Sequence, residues 1–527
     1  MKMRTVRHPL VLAALATVCG AAANAWTGRP GPRIPSLAGS RQGAVSVSDS
    51  SQKEASSAGL PAGVTAAVSI DGITQYNFSN GLRVLLIPDD SKATITVNIT
   101  YLVGSRNEVY GETGMAHLLE HLMFKGTPAH PNIPDEMSAH GCSLGNTLES
   151  ASGLSNGTTW FDRTNYYETF PATEDNLKWA LELEADRMIH SFIARKDLDS
   201  EMTVVRNELE SDENDPITVL KQRTRSAAYE WHNYSKDTIG ARSDIENVPI
   251  SRLQGFYHRY YQPDNAVLIV AGKFDAPKTL SAIDRAFGTI PRPSRELERS
   301  YTVEPAQDGE REATVRAVAD TQALVLGYHI PAGSHRDMAA IEIFAGIVAD
   351  PPSGRLFKLL NAHAEGAVVN NQVLFQHDRG MVFCSAQIGK ESSFTETRGK
   401  MIETIEGMGA APPTQEEVDR VRAAEESAID SRFASTTANG IWLSEWIALG
   451  DWRLFFVYRD SLKKVSPADV ARVAKYYFQP SNRTVAALIP TDKPDRAEIP
   501  PTADIEAIAN GYKGSGPAAS EGEAFDP

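Results

Sequence analysis

The sequence predicts an α+β fold built from two related α/β domains, and three observations carry that expectation. Tyr260-Tyr261-Gln262-Pro263-Asp264-Asn265, followed by the apolar Ala266 to Val270, returns as Tyr476-Tyr477-Phe478-Gln479-Pro480-Ser481-Asn482, followed by Arg483 to Ile489. The two prolines lie 217 residues apart, a period suited to a whole domain. Tyr101 to Arg106 has a weaker echo around Tyr328 to Arg336, so each copy opens with strands and closes on a helix and then a strand. Runs with the alternation of strands and runs with the spacing of helices stand side by side in the chain.

Taken in order, residues 1–25 read as an export signal, with Lys2, Arg4 and Arg7 ahead of the apolar run Val11 to Val18 and then Ala23-Asn24-Ala25. That run is too short to span a bilayer and no later stretch approaches the ~18 residues required, which predicts a soluble, secreted protein. Val18 fits poorly the small residue that lipid attachment at Cys19 would require. Loss of the signal takes the formal net charge from −15 to −18, which excludes nucleic acid as an expected partner. Cys142 and Cys384 then remain, too few for a disulfide framework and without a neighbouring Cys at metal-ligand spacing.

Residues 26–66 are rich in Ser, Gly, Ala and Pro and cannot bury enough surface to offset ordering, so they read as a tether. The first domain is expected over 67–290, a charged, Pro-containing linker over 291–309, the related second domain over 310–492, and a Pro/Gly-rich flexible tail over 493–527. Leu82 to Pro88 and Ala93 to Val103 alternate and are β-branched, with Asp89-Asp90-Ser91 between them, which predicts the two strands of a hairpin. A strand over Trp160 to Phe170 and a helix from about Thr173 follow; a further helix starts at Asp199 or Ser200 and is bounded by Pro216. Cys142 to Ser155 is small, polar and Gly/Ser-rich, a composition that predicts a loop. In the second domain, Thr414-x-x-Glu417 and Ser466-Pro467-x-Asp469 each announce a helix N-terminus.

The chemistry centres on Thr113 to Gly126. Thr113 is a credible cap, Gly126 a credible stop, and nothing between them opposes a helix of about three turns. Met115, Ala116, Leu118, Leu119, Leu122, Met123 and Phe124 cover most of its circumference, so it should be buried, while His117, Glu120 and His121 share one stripe. A lone buried His is usually a satisfied core residue. Two imidazoles four apart with a carboxylate between them need a partner that a cation supplies, and the carboxylate can then take a proton from water rather than ligate. In the downstream helix, Met202, Val205 and Leu209 form the buried stripe. Glu201 and Glu208, seven apart, lie together on its flank within reach of such a site, and Glu210 points away. A helix this acidic is otherwise a solvated face.

The spacing His117-x-x-Glu120-His121 resembles the pitrilysin/insulinase family of zinc metallopeptidases, whose H-x-x-E-H reverses the commoner order. Phe124-Lys125-Gly126-Thr127, Asn165-Tyr166-Tyr167-Glu168, Leu183-Glu184-Ala185-Asp186-Arg187-Met188 and Glu201 through Glu208 extend the likeness, which runs from about Ile70 to about Pro490. The resemblance implies mostly antiparallel sheets packed with helices, together forming half of a clamshell peptidase. It implies one zinc ion (Zn2+) per chain held by His117, His121 and Glu208, with Glu120 as general base and Glu201 as the acid behind the ligands. It further implies Phe124 as a pocket wall, with core packing as its other reading, and a substrate edge at Asn156, Gly157, Thr158 and Thr159, where Gly157 stands in place of a frequent Ala. The 86 residues between His121 and Glu208 exceed the usual interval by about the length of the 142–155 segment, which therefore reads as an insertion. The second copy has no His over Met338 to Asp350. The expected activity is endopeptidase cleavage of peptides or unfolded segments in the bacterial periplasm. A homodimer or a zinc-free partner half would complete the enzyme. The alternative is a non-catalytic binding or assembly subunit, which would ordinarily lack motif residues that this chain has.

Overall fold

The computed structural model describes residues 59–144, 154–298, 300–362, 366–512 and 514. The expected export signal, the expected tether as far as residue 58, most of the 142–155 segment and the end of the tail lie outside these residues. Among the described residues, eight strands make a first sheet: β1 (Val64–Ile70), β2 (Ile73–Phe78), β3 (Arg83–Pro88), β4 (Thr94–Tyr101), β5 (Ser143–Leu144), β6 (Leu154–Thr159), β7 (Thr164–Pro171) and β8 (Ala266–Gly272). Their order is β1-β2-β3-β8-β4-β7-β6-β5, antiparallel except for β3 with β8 and β5 with β6. Structure begins earlier than the sequence suggests, because β1 pairs with β2 around Asp71 and Gly72.

The second sheet runs β11 (Val368–Val373), β12 (Gly380–Gly389), β10 (Thr321–Ile330), β13 (Arg483–Pro490), β9 (Arg311–Ala317), with β13 and β9 parallel and the rest antiparallel. Read from the other edge, β9-β13-β10-β12-β11 repeats β3-β8-β4-β7-β6 strand for strand and direction for direction. The sequence repeat falls on matching elements. Helix Ile250–Tyr260 feeds β8, and helix Pro467–Tyr477 feeds β13.

β3 and β4 are not a hairpin. β8 lies between them, parallel to one and antiparallel to the other. β3 is buried over its middle and β4 along nearly its whole length, so alternation fixed their state while the central position went to the most apolar strand, Ala266–Gly272, buried throughout. The Trp160 to Phe170 strand is also two things: Trp160 to Arg163 is a hairpin turn, closed by the Trp160 N–H donating to the Arg163 carbonyl at 2.8 Å, and β7 starts at Thr164. The two capping boxes are present at Thr414 and Ser466. The tail holds a short helix, Ile505–Gly511, that buries nothing.

Each sheet is covered on one face by a helix from the other half of the chain. Helix Pro216–Ala228, started by Asp215 accepting from the Ile217 N–H at 3.1 Å, packs Leu220 and Ala228 against Ala323, Val325, Phe383 and Leu488 of the second sheet. Helix Thr436–Ala448, capped by Ser435, crosses β4 and β8 of the first. The stretch between the sheets is anchored as well: buried Glu304 accepts from the N–H groups of Glu230, Trp231 and His232 at 2.7 to 3.0 Å.

Candidate metal centre

The His117 helix spans Met115–Leu122, shorter than its apolar run suggests, and every residue of it is buried. Thr113 is not its cap. Gly114 is, in the left-handed region (φ 88°), where a Cβ would meet the Ile239 carbonyl at 2.4 Å. A glycine cap has no side-chain acceptor, and the first-turn N–H groups need one. Glu108 provides it, accepting from Gly114 N at 2.9 Å and Ala116 N at 2.9 Å. Thr113 instead ties the loop to the following helices, donating to Asp244 at 2.8 Å and accepting from Ala241 N at 2.9 Å.

The Glu208 helix spans Arg195–Asn214 and so starts one turn before Asp199. Its first flanking residue is Ala194 with no side-chain cap, which is why a search for a polar cap placed the start too late. Glu201 and Glu208 are both buried on the side facing the His117 helix, whereas Glu210 is exposed and pairs with Arg242.

His117 Nε2 and His121 Nε2 lie 3.3 Å apart, and Glu208 Oε2 is 3.6 Å from the first and 3.5 Å from the second. Donors at ~2.0–2.1 Å from a tetrahedral zinc are themselves separated by roughly 3.4 Å, so the triangle has the size of a zinc site. The chemistry agrees: Glu208 Oε2 is buried with no hydrogen-bond partner, aimed at two ring nitrogens. Burial and the His121 ring push His117 down to about 4. Burial acts the same way on His121, but Glu201 and Glu208 outweigh it and raise the ring to about 10. Two buried imidazoles and a buried carboxylate converging on one point form a donor set that suits a divalent cation.

Around this triangle, His121 Nδ1 is 3.2 Å from Glu201 Oε2, and Lys125 pairs with the other Glu201 oxygen. Burial raises Glu201, yet His121 and Lys125 hold it below the usual carboxylate range. Glu120 is buried one residue before His121, and Thr159 Oγ1 donates to its Oε2 at 2.6 Å. Burial raises the Glu120 carboxyl despite that bond and the nearby His121 charge. Gly157 lies against the same side chain; a Cβ there would come 2.9 Å from Glu120 Cγ, 3.1 Å from its Oε1 and 3.2 Å from Phe124 Cε2. Phe124 itself is buried in the first core, with the fully buried Arg187 guanidinium 5.2 Å from its ring centroid.

The structure thus brings His117, His121, Glu208, Glu120 and Glu201 together, with Gly157 and Phe124 beside them. Thr158 faces the other side of the sheet, bonding Asn165 at 2.6 Å, and Asn156 Oδ1 accepts from the Gly157 N–H at 2.9 Å. Sequence reasoning placed Thr159 on the substrate edge but missed its bond to Glu120, and it missed Lys125 and Glu108. The bond was open to it through the period of two from Gly157. A charge just past the end of the His117 helix pointed to Lys125. Glu108 had no local signal, since its role follows from Gly114 being the cap.

The profile of the insulinase peptidase family M16 matches residues 83–242, and that of the peptidase M16 inactive domain matches residues 247–425. Zinc protease PqqE of Helicobacter pylori is 27% identical over 418 residues, 78% of this chain and 91% of that protein. The crystal structure of a protease from Helicobacter pylori superposes with a TM-score of 0.72 at 28% identity, covering 79% of this chain and 99% of that one. The periplasmic protease PqqL from Escherichia coli superposes with a TM-score of 0.64 at 16% identity, and the match takes 81% of this chain but 48% of that one.

Proposed function

The chain belongs to the insulinase (M16) family of peptidases, and from that premise we propose that it is a zinc-dependent endopeptidase cleaving peptides or unfolded protein segments. The observation that carries the reading is the convergence of His117, His121 and Glu208, whose donor atoms lie within 4.8 Å of one another, with Glu120 buried beside them. These three residues would hold one zinc ion, which supplies Lewis acidity toward water and toward the scissile carbonyl.

The remaining work belongs to the chain's own groups. Glu120 takes the proton of the attacking water and passes it to the departing amine. Its raised carboxyl suits a group that must hold that proton between two steps. Thr159 fixes Oε2 and leaves Oε1 beside Gly157. Glu201, held by Lys125, orients the His121 ring through Nδ1. The substrate is held extended along β6. On its outer side β5 covers only Leu154 and Ser155 among the described residues. The Trp160–Arg163 turn bond sets the alternation, so Thr158 bonds to β7 while the N–H and C=O groups of Gly157 and Thr159 point outward. Asn156 Oδ1 occupies the Gly157 N–H until a substrate carbonyl replaces it.

The reading of residues 1–25 as an export signal and the periplasmic description of the Escherichia coli relative support export to the periplasm. The chain matches about half of that relative, which supports a homodimer or a zinc-free partner half that closes the site. Cleavage of an internally quenched peptide, measured together with bound zinc and after chelation, tests the reading. Zinc-dependent cleavage at internal bonds supports it, and binding of peptide without cleavage in the zinc-loaded protein overturns it. Light scattering alongside activity at varied protein concentration tests the partner.

A further inference from the structure

We propose that the second domain positions the catalytic edge through Glu445, which with Arg163 clamps β6 from the face opposite the metal centre; Glu445 and Arg163 are positioning residues for the peptidase reaction. The inference rests on the peptidase reading of the site.

The two faces of β6 do different things because neighbouring side chains on a strand point to opposite sides. Thr159 and Gly157 meet Glu120 and Phe124. Thr158, between them, turns to the side where helix Thr436–Ala448 lies. There Arg163, only 8% exposed, curls back over its own turn. Its Nη1 donates to the Thr158 carbonyl at 2.9 Å and to Asn165 Oδ1 at 2.9 Å, and its Nε donates to Glu445 Oε1 at 2.8 Å, with Nη2 on the same oxygen. Glu445 is 7% exposed. A guanidinium buried this far keeps its place only while its counter-ion holds it.

The clamp has a second arm. Asn165 Nδ2 donates to Asn98 Oδ1 at 2.8 Å, and Asn98 Nδ2 donates to the Gly440 carbonyl at 3.0 Å and to Ser444 Oγ at 2.8 Å. Ser444 also shares a hydrogen bond of 2.8 Å with Thr100. One helix of the second domain is therefore bonded to β4, β7 and the β6–β7 turn through a buried polar chain, one strand away from the Thr159–Glu120 contact. Apolar packing would hold that helix on the sheet without fixing the height of β6. Directed bonds to the Thr158 carbonyl do fix it, and Thr159 moves with Thr158.

Glu445→Ala and Glu445→Gln, measured with hydrogen exchange, zinc content and steady-state kinetics on the full chain, test the proposal. In Glu445→Ala, exchange in residues 155–163 should rise about tenfold while residues 436–448 stay protected and bound zinc is unchanged. At the same time kcat should fall about tenfold with KM within about threefold, since a small misplacement near the reacting groups is felt in the rate. Glu445→Gln keeps an acceptor for Arg163 and should recover part of both. Wild-type exchange in residues 155–163 overturns the proposal. So does a loss of protection spread through residues 436–448, because the role is then merely structural. If the exchange pattern is as expected but the wild-type protein cleaves nothing, the peptidase reading fails while the clamp itself stands.

Discussion

Two helices occupy matching places, Met115–Leu122 after β4 and Met338–Ala349 after β10, and both are buried along their whole length. The second carries one charged residue, Glu342, against the Tyr458 hydroxyl, and is otherwise aliphatic, aromatic or small. Each of its fully buried large side chains contributes roughly 1.5–3 kcal/mol. The first places His117, Glu120 and His121 in the same kind of interior, where polar groups cost free energy unless bonded. The shared sheet order holds either helix equally well. One copy uses the buried position for cohesion, and the other uses it to strip water from a reactive cluster. The cluster is tolerable because Glu201, Glu208, Thr159 and Lys125 converge on it from other elements.

The strongest way to break this comparison is Glu120→Gln. The change preserves shape and the Thr159 contact, so peptide cleavage should fall by about 10²–10⁴-fold with zinc retained, measured as kcat/KM and metal content on the same sample. Substantial turnover by the variant would place the proton acceptor elsewhere. Next in size, Glu208→Gln should weaken zinc binding by about a hundredfold or more in chelator competition. The exposed Glu210→Gln, two residues on and on the opposite face of the helix, should leave it unchanged. Equal affinities in the two variants would mean that the third ligand is a different residue.

Gly157→Ala sharpens the contrast at the level of single atoms. Its new methyl would sit 2.9 Å from Glu120 Cγ, so kcat should drop roughly tenfold through displaced geometry, with zinc content unchanged. Normal rates would show that Glu120 moves aside freely.

The smallest effect belongs to the second domain, where charge serves stability. Glu417 caps its helix through Thr414 and pairs with Arg355 at 2.7 and 2.8 Å. The Arg355 hydrogen bonds foremost pull its carboxyl down to about 2. A carboxyl lowered on folding adds stability above its unfolded value, and that contribution is lost as pH falls toward about 2. Because solvent screens the pair, Glu417→Gln should cost only about 1 kcal/mol at pH 7. The difference in Tm from wild type should shrink between pH 4.5 and pH 2. A gap that persists at the lowest pH would assign the effect to packing.

The sequence by itself determined the two copies and the shared face of the His117 helix. The Tyr-Tyr-Gln-Pro segment marks equivalent strands because its residues set a helix end, a turn and a buried strand locally. His117, Glu120 and His121 share a face because 3.6 residues per turn put them there. Capping at Thr414 and Ser466 was legible for the same reason, since each box closes within four residues. What spans long separations was not legible. β8 between β3 and β4 depends on more than 160 residues of intervening chain, and alternation says only that a strand exists, not which strand lies beside it. Glu108 under the His117 helix follows from the loop that Gly114 closes, while Thr159 on Glu120 and the Arg163–Glu445 bond each join residues whose proximity is decided by packing. In the last case the two halves of the repeat exchange helices across the interface. Spacing along the chain encodes faces and turns, and only the packed structure decides which faces meet.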